Sequence, residues 1–297
     1  MTAEQFAQRF EEHRGHLRAV AYRMLGSLSE AEDAVQEGWL RAGRADSDAV
    51  DNLGGWLTTI VARICLNMLR SRAARREAAL DVEEYEYVHV PDPLLGPADG
   101  PDPEREALLA DSVGLAMMVV LETLTPAERL AFVLHDMFAV PFEEIATIVG
   151  RTPAATRQLA SRARRRVRDQ TPAPAPSLDR ARRREVVDAF IAAARGGDFE
   201  ALLALLDPDV VLRADAGAVP ATKVVRGARA VAEQASLFRR FALLSRAALV
   251  NGEPGIVATS QGRVISVLAF TLSPEARITT LTILADPARL SPQNATF

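Results

Sequence analysis

Through the first 76 residues apolar positions recur at three- and four-residue steps. Leu17, Val20, Ala21, Met24, Leu25 and Leu28 make one face of a helix. Ser29, with Glu32 three positions on, predicts the capped start of the next helix, EAEDAVQEGWLRA. That helix buries Ala34, Val35 and Trp39 and presents Asp33, Gln36 and Glu37 to water. Asp51, Asn52, Gly54 and Gly55 predict a turn. A long helix, WLTTIVARICLNMLRSRAARRE, follows with Trp56, Ile60, Ile64 and Met68 or Leu69 at helical spacing. Over residues 81–103, Pro91, Pro93, Pro97, Pro101 and Pro103 preclude a long helix and predict an extended acidic tether. Helical periodicity resumes near Glu104 and runs to Arg168, and TPAPAPS (171–177) is a second, stiff spacer. Beyond it the pattern changes. A helix over roughly 179–195 stops at Gly196 and Gly197, a short helix lies in DFEALLALL, and DPDVVLRAD becomes a strand. Another helix is expected around 227–240. The runs RAALV, GIVATS, RVISVLAFTL and RITTLTIL are separated by turns at Asn251 to Gly255, Gln261-Gly262 and Ser273-Pro274. This predicts a curved antiparallel sheet backed by helices, an α+β domain.

Charge sharpens the picture because it is segregated. The net charge is −4, yet residues 63–76 hold five arginines and no acid, and residues 151–168 hold seven arginines and no acid. Between them, residues 77–111 carry eleven acids against Arg105. Two basic islands on an acidic bridge suggest two separate contacts with a polyanion; the plainer reading is two solvated helix faces. No apolar run reaches membrane-span length, and the N-terminus lacks the apolar core of a signal peptide, so a cytoplasmic location is expected. A single cysteine, Cys65, excludes an intramolecular disulfide.

The most specific local pattern is LTPAERLAFVLHDMFAVPFEEIATIVGRTPAATRQLASRARRRVRDQ (124–170). Thr125, Pro126 and Glu128 make a capped helix start. Pro141 opens a helix from Phe142 to Val149, Gly150 closes it, and Thr152-Pro153 restart the chain: helix-turn-helix spacing. In the second helix Leu159 or Ala160, Ala163 and Val167 pack inward, leaving Arg157, Gln158, Ser161, Arg162 and Arg165 outward. Arginine forks onto guanine O6 and N7, glutamine pairs with adenine N6 and N7, and the remaining arginines neutralise phosphate.

LRAVAYRMLGSLSEAEDAVQEGWLRA with GGWLTTIVARICLNMLRSRAARRE resembles region 2 of extracytoplasmic-function sigma factors. Residues 124–167 resemble their region 4, and residues from 180 onward resemble a SnoaL-like domain of the NTF2-like fold. The latter rests mainly on GRVISVLAFTL, ARITTLTIL and the segment Asp286-Pro287-Ala288-Arg289-Leu290. A subgroup of the family has a tryptophan-containing proline motif where this chain has VHVPDPLLGP, and a glycine-rich loop with lysine where it has DAGAVPATK (215–223). The resemblance implies a multidomain chain: sigma region 2 (1–77), an acidic linker (78–107), region 4 with its helix-turn-helix (108–170), a Pro/Ala linker (171–178) and the SnoaL-like α+β domain (179–292). The two sigma domains are all-α. It implies core RNA polymerase and promoter DNA as partners. Asp33, Gln36 and Glu37 would meet the polymerase. Arg44, Asn52, Trp56, Arg63 and Arg70 would hold the melted −10 strand, with stacking and phosphate contact as the physics. Trp39 and Trp56 also suit a core, the commoner fate of tryptophan. Region 4 would read the −35 duplex through its five outward residues. The extra domain would regulate in cis, through a small ligand or an intramolecular contact.

Other chemistry is thin. The histidines at 13, 16, 89 and 135 share no metal-ligand spacing with Cys65, and no phosphate-binding glycine loop occurs, so neither metal nor cofactor is expected. The last domain contains no histidine. Any base in its pocket would be a carboxylate such as Asp215, with Lys223, Arg226 or Arg263 as electrostatic partners. A non-catalytic pocket is the favoured expectation. The alternatives are a helix-turn-helix regulator that does not act as a sigma factor, and a SnoaL-type isomerase or cyclase fused to a DNA-binding module.

Overall fold

A computed structural model describes residues 3–45, 50–79, 89–96, 114–170, 178–217, 223–237 and 242–291. Most of the acidic bridge, the start of periodicity near Glu104, the TPAPAPS spacer and the loop 218–222 lie outside the described residues. The chain divides into two compact units: residues 1–83 with 120–170, and residues 84–119 with 171–297.

The first unit is helical. α1 (Ala3–Leu25), α2 (Leu28–Ala42) and α3 (Leu53–Ala79) pack on one another. α1 buries Phe10, Leu17, Val20, Ala21, Met24 and Leu25, the face its periodicity predicted. α2 starts two residues earlier than Ser29 suggested. Ser27 is the cap, extended at φ −124°, its hydroxyl accepting from the Glu30 amide. Glu32 is instead drawn to Arg18 at 2.8 Å. α3 likewise absorbs the glycines expected in a turn: Asn52 Oδ1 accepts from the Gly55 amide at 3.0 Å, so Gly54 and Gly55 form its first turn. Its buried face runs through Leu53, Leu57, Val61, Cys65 and Leu69; of the expected stripe Ile64 and Leu69 are buried, while Trp56, Ile60 and Met68 are half-buried. Gly38 on α2 lets α3 approach closely, since a Cβ there would meet Val61 Cγ2 at 2.8 Å. Burial pushes the Cys65 thiol up to about 12. That keeps it an inert core residue.

α4 (Leu115–Leu121) precedes α5 (Pro126–Phe132), which continues as a five-residue π-helical turn (Val133–Met137). α6 (Phe142–Val149) ends at Gly150 in the left-handed region (φ 73°), and α7 (Pro153–Gln170) follows. The Thr125–Glu128 capping box forms as predicted. Within this unit α3 packs against α5 and α6. Arg129, 2% exposed, donates from Nε and Nη2 to the Arg23 carbonyl at 3.2 and 3.1 Å and from Nη1 to Glu122 at 2.6 Å. Arg72 of α3 donates to the Leu25 carbonyl at 3.2 Å and pairs with Glu30. Two arginines thus cap the electronegative end of α1, where carbonyls lack helical partners.

The second unit is α+β. α8 (Arg180–Gly196), capped by Asp179 and closed by left-handed Gly197, and α9 (Phe199–Leu205) lead into β2 (Leu206–Asp215). β3 (Lys223–Arg226), α10 (Ala228–Leu237), β4 (Ser245–Val250), β5 (Glu253–Ser260), β6 (Arg263–Leu272), β7 (Ile278–Leu284) and α11 (Pro287–Leu290) follow. With β1 (Leu95–Gly96) from the linker, the strand order is β1-β4-β5-β6-β7-β2-β3. The sheet is mixed rather than wholly antiparallel, because β2 runs parallel to β7. A strand that arrives from a helix pair, not from a hairpin, is free to join in either sense. The hairpin turns are Asn251-Gly252 and Gln261-Gly262, all four residues at positive φ, as two-residue primed turns require. Gly255 is therefore not a turn residue. It lies inside β5, where a Cβ would come within 2.7 Å of the Leu268 carbonyl. Val187, Phe190, Leu202, Val231, Ile256 and Leu281 knit the helices to one face of the sheet. The other notable contact is at the edge: β1 pairs with Val250 and Leu249, and Asn251 clamps Leu94 through both its backbone and its side chain.

Candidate nucleic-acid interface and C-terminal cavity

α7 presents the basic face. Leu159, Ala160, Ala163 and Val167 are buried, whereas Arg157, Gln158, Ser161, Arg162 and Arg165 are exposed together. The helix is held by ion pairs on its flanks. Arg164 meets Asp136 at 2.6 Å, and Arg166 meets Glu128 at 2.9 Å. Glu128 is 4% exposed and also lies 3.5 Å from Arg162, so the residue that caps α5 anchors α7 as well. Arg157 rests over the Phe142 ring and pairs with Glu143 at 2.8 Å. Exposed pairs of this kind contribute about 0.2–1 kcal/mol, little enough for phosphate to displace the carboxylate. The anchoring role of Glu128 was missed because its capping signature already accounted for it.

On α3, Trp56, Arg63 and Arg70 lie at seven-residue steps and share a stripe. Trp56 is half-buried and Arg63 and Arg70 exposed. Asn52 is exposed but its side chain caps α3, and Arg63 Nη2 lies 3.5 Å from the Thr147 carbonyl. The two tryptophans differ. Trp39 stacks on Phe6 (5.0 Å between centroids) and meets Phe10 edge-on (4.9 Å), whereas Trp56 has no such ring partner among the described residues. Both are half-buried, so the burial expected of Trp39 is only partly met, and of the two Trp39 is the one packed against rings. Arg44 is exposed beyond the end of α2. Asp33 and Gln36 point to solvent, while Glu37 is half-buried and drawn to Arg41 at 2.7 Å.

In the second unit a cavity of about 320 Å³ opens on the sheet and takes in Asp215 and Lys223. Arg226 and Arg263 are exposed and are not among the described residues lining it. Asp215 is 2% exposed and its carboxylate is fully engaged. Oδ1 accepts from the Gly217 amide at 3.0 Å, and Oδ2 accepts from the Val90 amide at 3.0 Å and Arg289 Nη1 at 2.9 Å. Arg289 also donates to Asp92 at 2.7 Å and to the Val90 carbonyl. The proline-rich linker motif, the start of the lysine loop and the Asp-Pro-x-x-Leu segment thus meet in one buried network. Arg289 and Asp92 are the members of this network that residue-by-residue reading does not single out, although both segments stand out as motifs. No group of three His, Cys, Asp or Glu among the described residues is arranged to hold a metal, and no described helix is long and apolar enough to cross a membrane.

Residues 9–75 match the Sigma-70 region 2 family and residues 115–167 match Sigma-70, region 4. The chain is 43% identical to the ECF RNA polymerase sigma factor SigJ of Mycobacterium tuberculosis over 253 residues, 83% of this chain and 78% of that one. The chain belongs to the ECF RNA polymerase sigma factors. This sigma factor is also 38% identical over 289 residues to a probable ECF RNA polymerase sigma factor, SigI, of the same species, covering 95% of this chain and 94% of that one. The crystal structure of M. tuberculosis SigJ superimposes with a TM-score of 0.74 at 35% identity, covering 96% of this chain and 98% of that chain. The fold class is therefore two helical sigma regions followed by an α+β domain. The family acts by directing transcription initiation, not by turnover, so the fused domain is not read as an enzyme.

Proposed function

We propose that this sigma factor docks on core RNA polymerase through Asp33, Gln36 and Glu37, holds the melted −10 strand along the Trp56–Arg63–Arg70 stripe with Arg44 and Asn52, and reads the −35 duplex through Arg157, Gln158, Ser161, Arg162 and Arg165. Residues 1–77 and 108–170 serve as the two promoter-facing modules, 78–107 and 171–178 as linkers, and 179–292 as a controller that acts in cis by gripping the linker. Its partners place it in the cytoplasm. The observation that carries this reading is the exposed face of α7: five outward residues, with Gln158, Ser161 and Arg165 free of side-chain partners among the described residues. Arginine and glutamine on such a face match the donor and acceptor pattern of the major groove. The test is promoter-dependent transcription with core polymerase, comparing the full chain with a chain ending at Gln170. The shortened chain is expected to keep polymerase binding and to change promoter output. Folded protein that neither associates with core polymerase nor initiates at any promoter would overturn the sigma assignments. Identical output from both chains across conditions would overturn regulation in cis.

A further inference from the structure

We infer that the cavity of the C-terminal domain binds a compact apolar molecule carrying one carboxylate, with its body among Phe190, Leu212, Leu268 and Ile283 and its head at Lys223. The cavity's volume of about 320 Å³ lies at the lower end of the range for small-molecule sites, about 300–1,000 Å³. Strand alternation builds it. Leu212 and Ala214 on β2, Ile256 and Ala258 on β5, Ser266 and Leu268 on β6, and Leu281 and Ile283 on β7 are successive alternate positions and line one face. The wall they make is almost wholly apolar, and this suits binding by burial of apolar surface.

The polar groups decide what the head of the ligand must be. Asp215 contributes to the lining but is one residue out of phase with Leu212 and Ala214, and its carboxylate is taken up by Gly217, Val90 and Arg289. A carboxylate that accepts three N–H bonds, one from a guanidinium, from outside the cavity's face is committed to holding the linker and α11 rather than to meeting a ligand. Lys223 is different. It pairs across the ladder with Ala214, which places it on the cavity's face, and its ammonium donates to the neutral amide oxygen of Gln234 at 2.8 Å. It is the only lysine in a chain of 35 basic residues. An ammonium at the mouth, held by an uncharged partner, selects an anionic head, and among the described residues the remaining lining offers Ser245, Ser266 and Gln234 as polar side chains. This inference goes beyond the promoter-directed function and does not depend on it, because its readout is binding and not transcription.

The probe is 2-naphthoate, titrated calorimetrically into the full chain, with the uncharged 2-acetylnaphthalene as its control. Saturable one-to-one binding is expected, with a negative heat-capacity change. Lys223→Gln should weaken naphthoate about tenfold, or 1.4 kcal/mol, and leave 2-acetylnaphthalene unchanged. Ala258→Leu, placing three more carbons in the cavity, should abolish binding of both, and Ser266→Leu serves if thermal melting shows that the first variant fails to fold. Absence of saturable binding, or binding indifferent to both filling variants, overturns the site. Binding that the filling variants block but that is equal for acid and ketone, and indifferent to Lys223→Gln, overturns the carboxylate head. Either failure leaves the promoter-directed reading intact.

Discussion

Replacing Arg129 by methionine should detach α5 from the end of α1. Arg129 is 2% exposed and supplies both donors to the Arg23 carbonyl while neutralising Glu122. Methionine keeps the length and the apolar stem but removes three hydrogen bonds. Breaking one side of a buried ion pair costs about 3–5 kcal/mol, because the abandoned partner stays desolvated. Here Glu122 is 11% exposed at its side chain and retains Arg72 at 3.9 Å, which places the effect near the lower bound, about 3 kcal/mol. That is a factor of roughly 150 in the equilibrium between packed and separated helices. Arg129→Lys should fall between, since an ammonium is a point charge that cannot fork onto a carbonyl and a carboxylate together. Hydrogen exchange read over the last turn of α1 and over α5, with urea unfolding of the same variants, measures this directly. An Arg129→Met variant whose exchange is unchanged in both segments, with stability within about 0.5 kcal/mol of the parent, would refute the bridging role.

Three further outcomes follow from the same contacts. With its thiol pushed up to about 12 by burial, Cys65 should resist a thiol reagent at pH 8 until the chain unfolds. Because the folded value lies above the unfolded one, its contribution is complete below about pH 9 and is lost as pH rises toward 12, so alkaline unfolding should shift upward in Cys65→Ala. Asp215→Asn and Arg289→Met should each speed exchange of the Val90 amide, and a double-mutant cycle should show coupling of about 0.5–3 kcal/mol; strict additivity would mean the pair does not act as a unit. Trp56→Ala should weaken binding of single-stranded −10 DNA by about 1–3 kcal/mol while leaving duplex −35 binding untouched, and equal loss on both would place Trp56 in the core instead.

The elements that were legible in the sequence are those whose signals are local. The helix-turn-helix could be read from Thr125, Glu128, Gly150, Thr152 and Pro153 because caps and left-handed closures depend on a few neighbouring residues. The errors fell where two local solutions compete. Ser27 and Ser29 are both adequate caps for α2, and Ser27 is the one used. Trp56 and Ile60 lie on a half-buried row of α3 and Leu57, Val61 and Cys65 on the buried row beside it, with Ile64 buried as well; only contact with α1 and α2 shows how far the buried face extends. Of the candidate site residues, the α7 face depends on period alone and was readable. The Asp92–Asp215–Arg289 network was not, because its members lie up to 197 positions apart and nothing short-range links them.

Two arginine networks suggest why such contacts are made of charge. Arg129 forks onto the Arg23 carbonyl and Glu122, and Arg289 onto the Val90 carbonyl, Asp92 and Asp215. An apolar seam in either place would hold more firmly per unit area, but parting it would expose an adhesive patch. When an arginine network parts, each guanidinium, carboxylate and carbonyl is taken up by water. The net cost of separation is then only a few kcal/mol, although deleting a single partner costs as much or more. On the linker Arg289 takes both kinds of acceptor, the Val90 carbonyl and the Asp92 carboxylate, and Asp215 accepts from the Val90 amide.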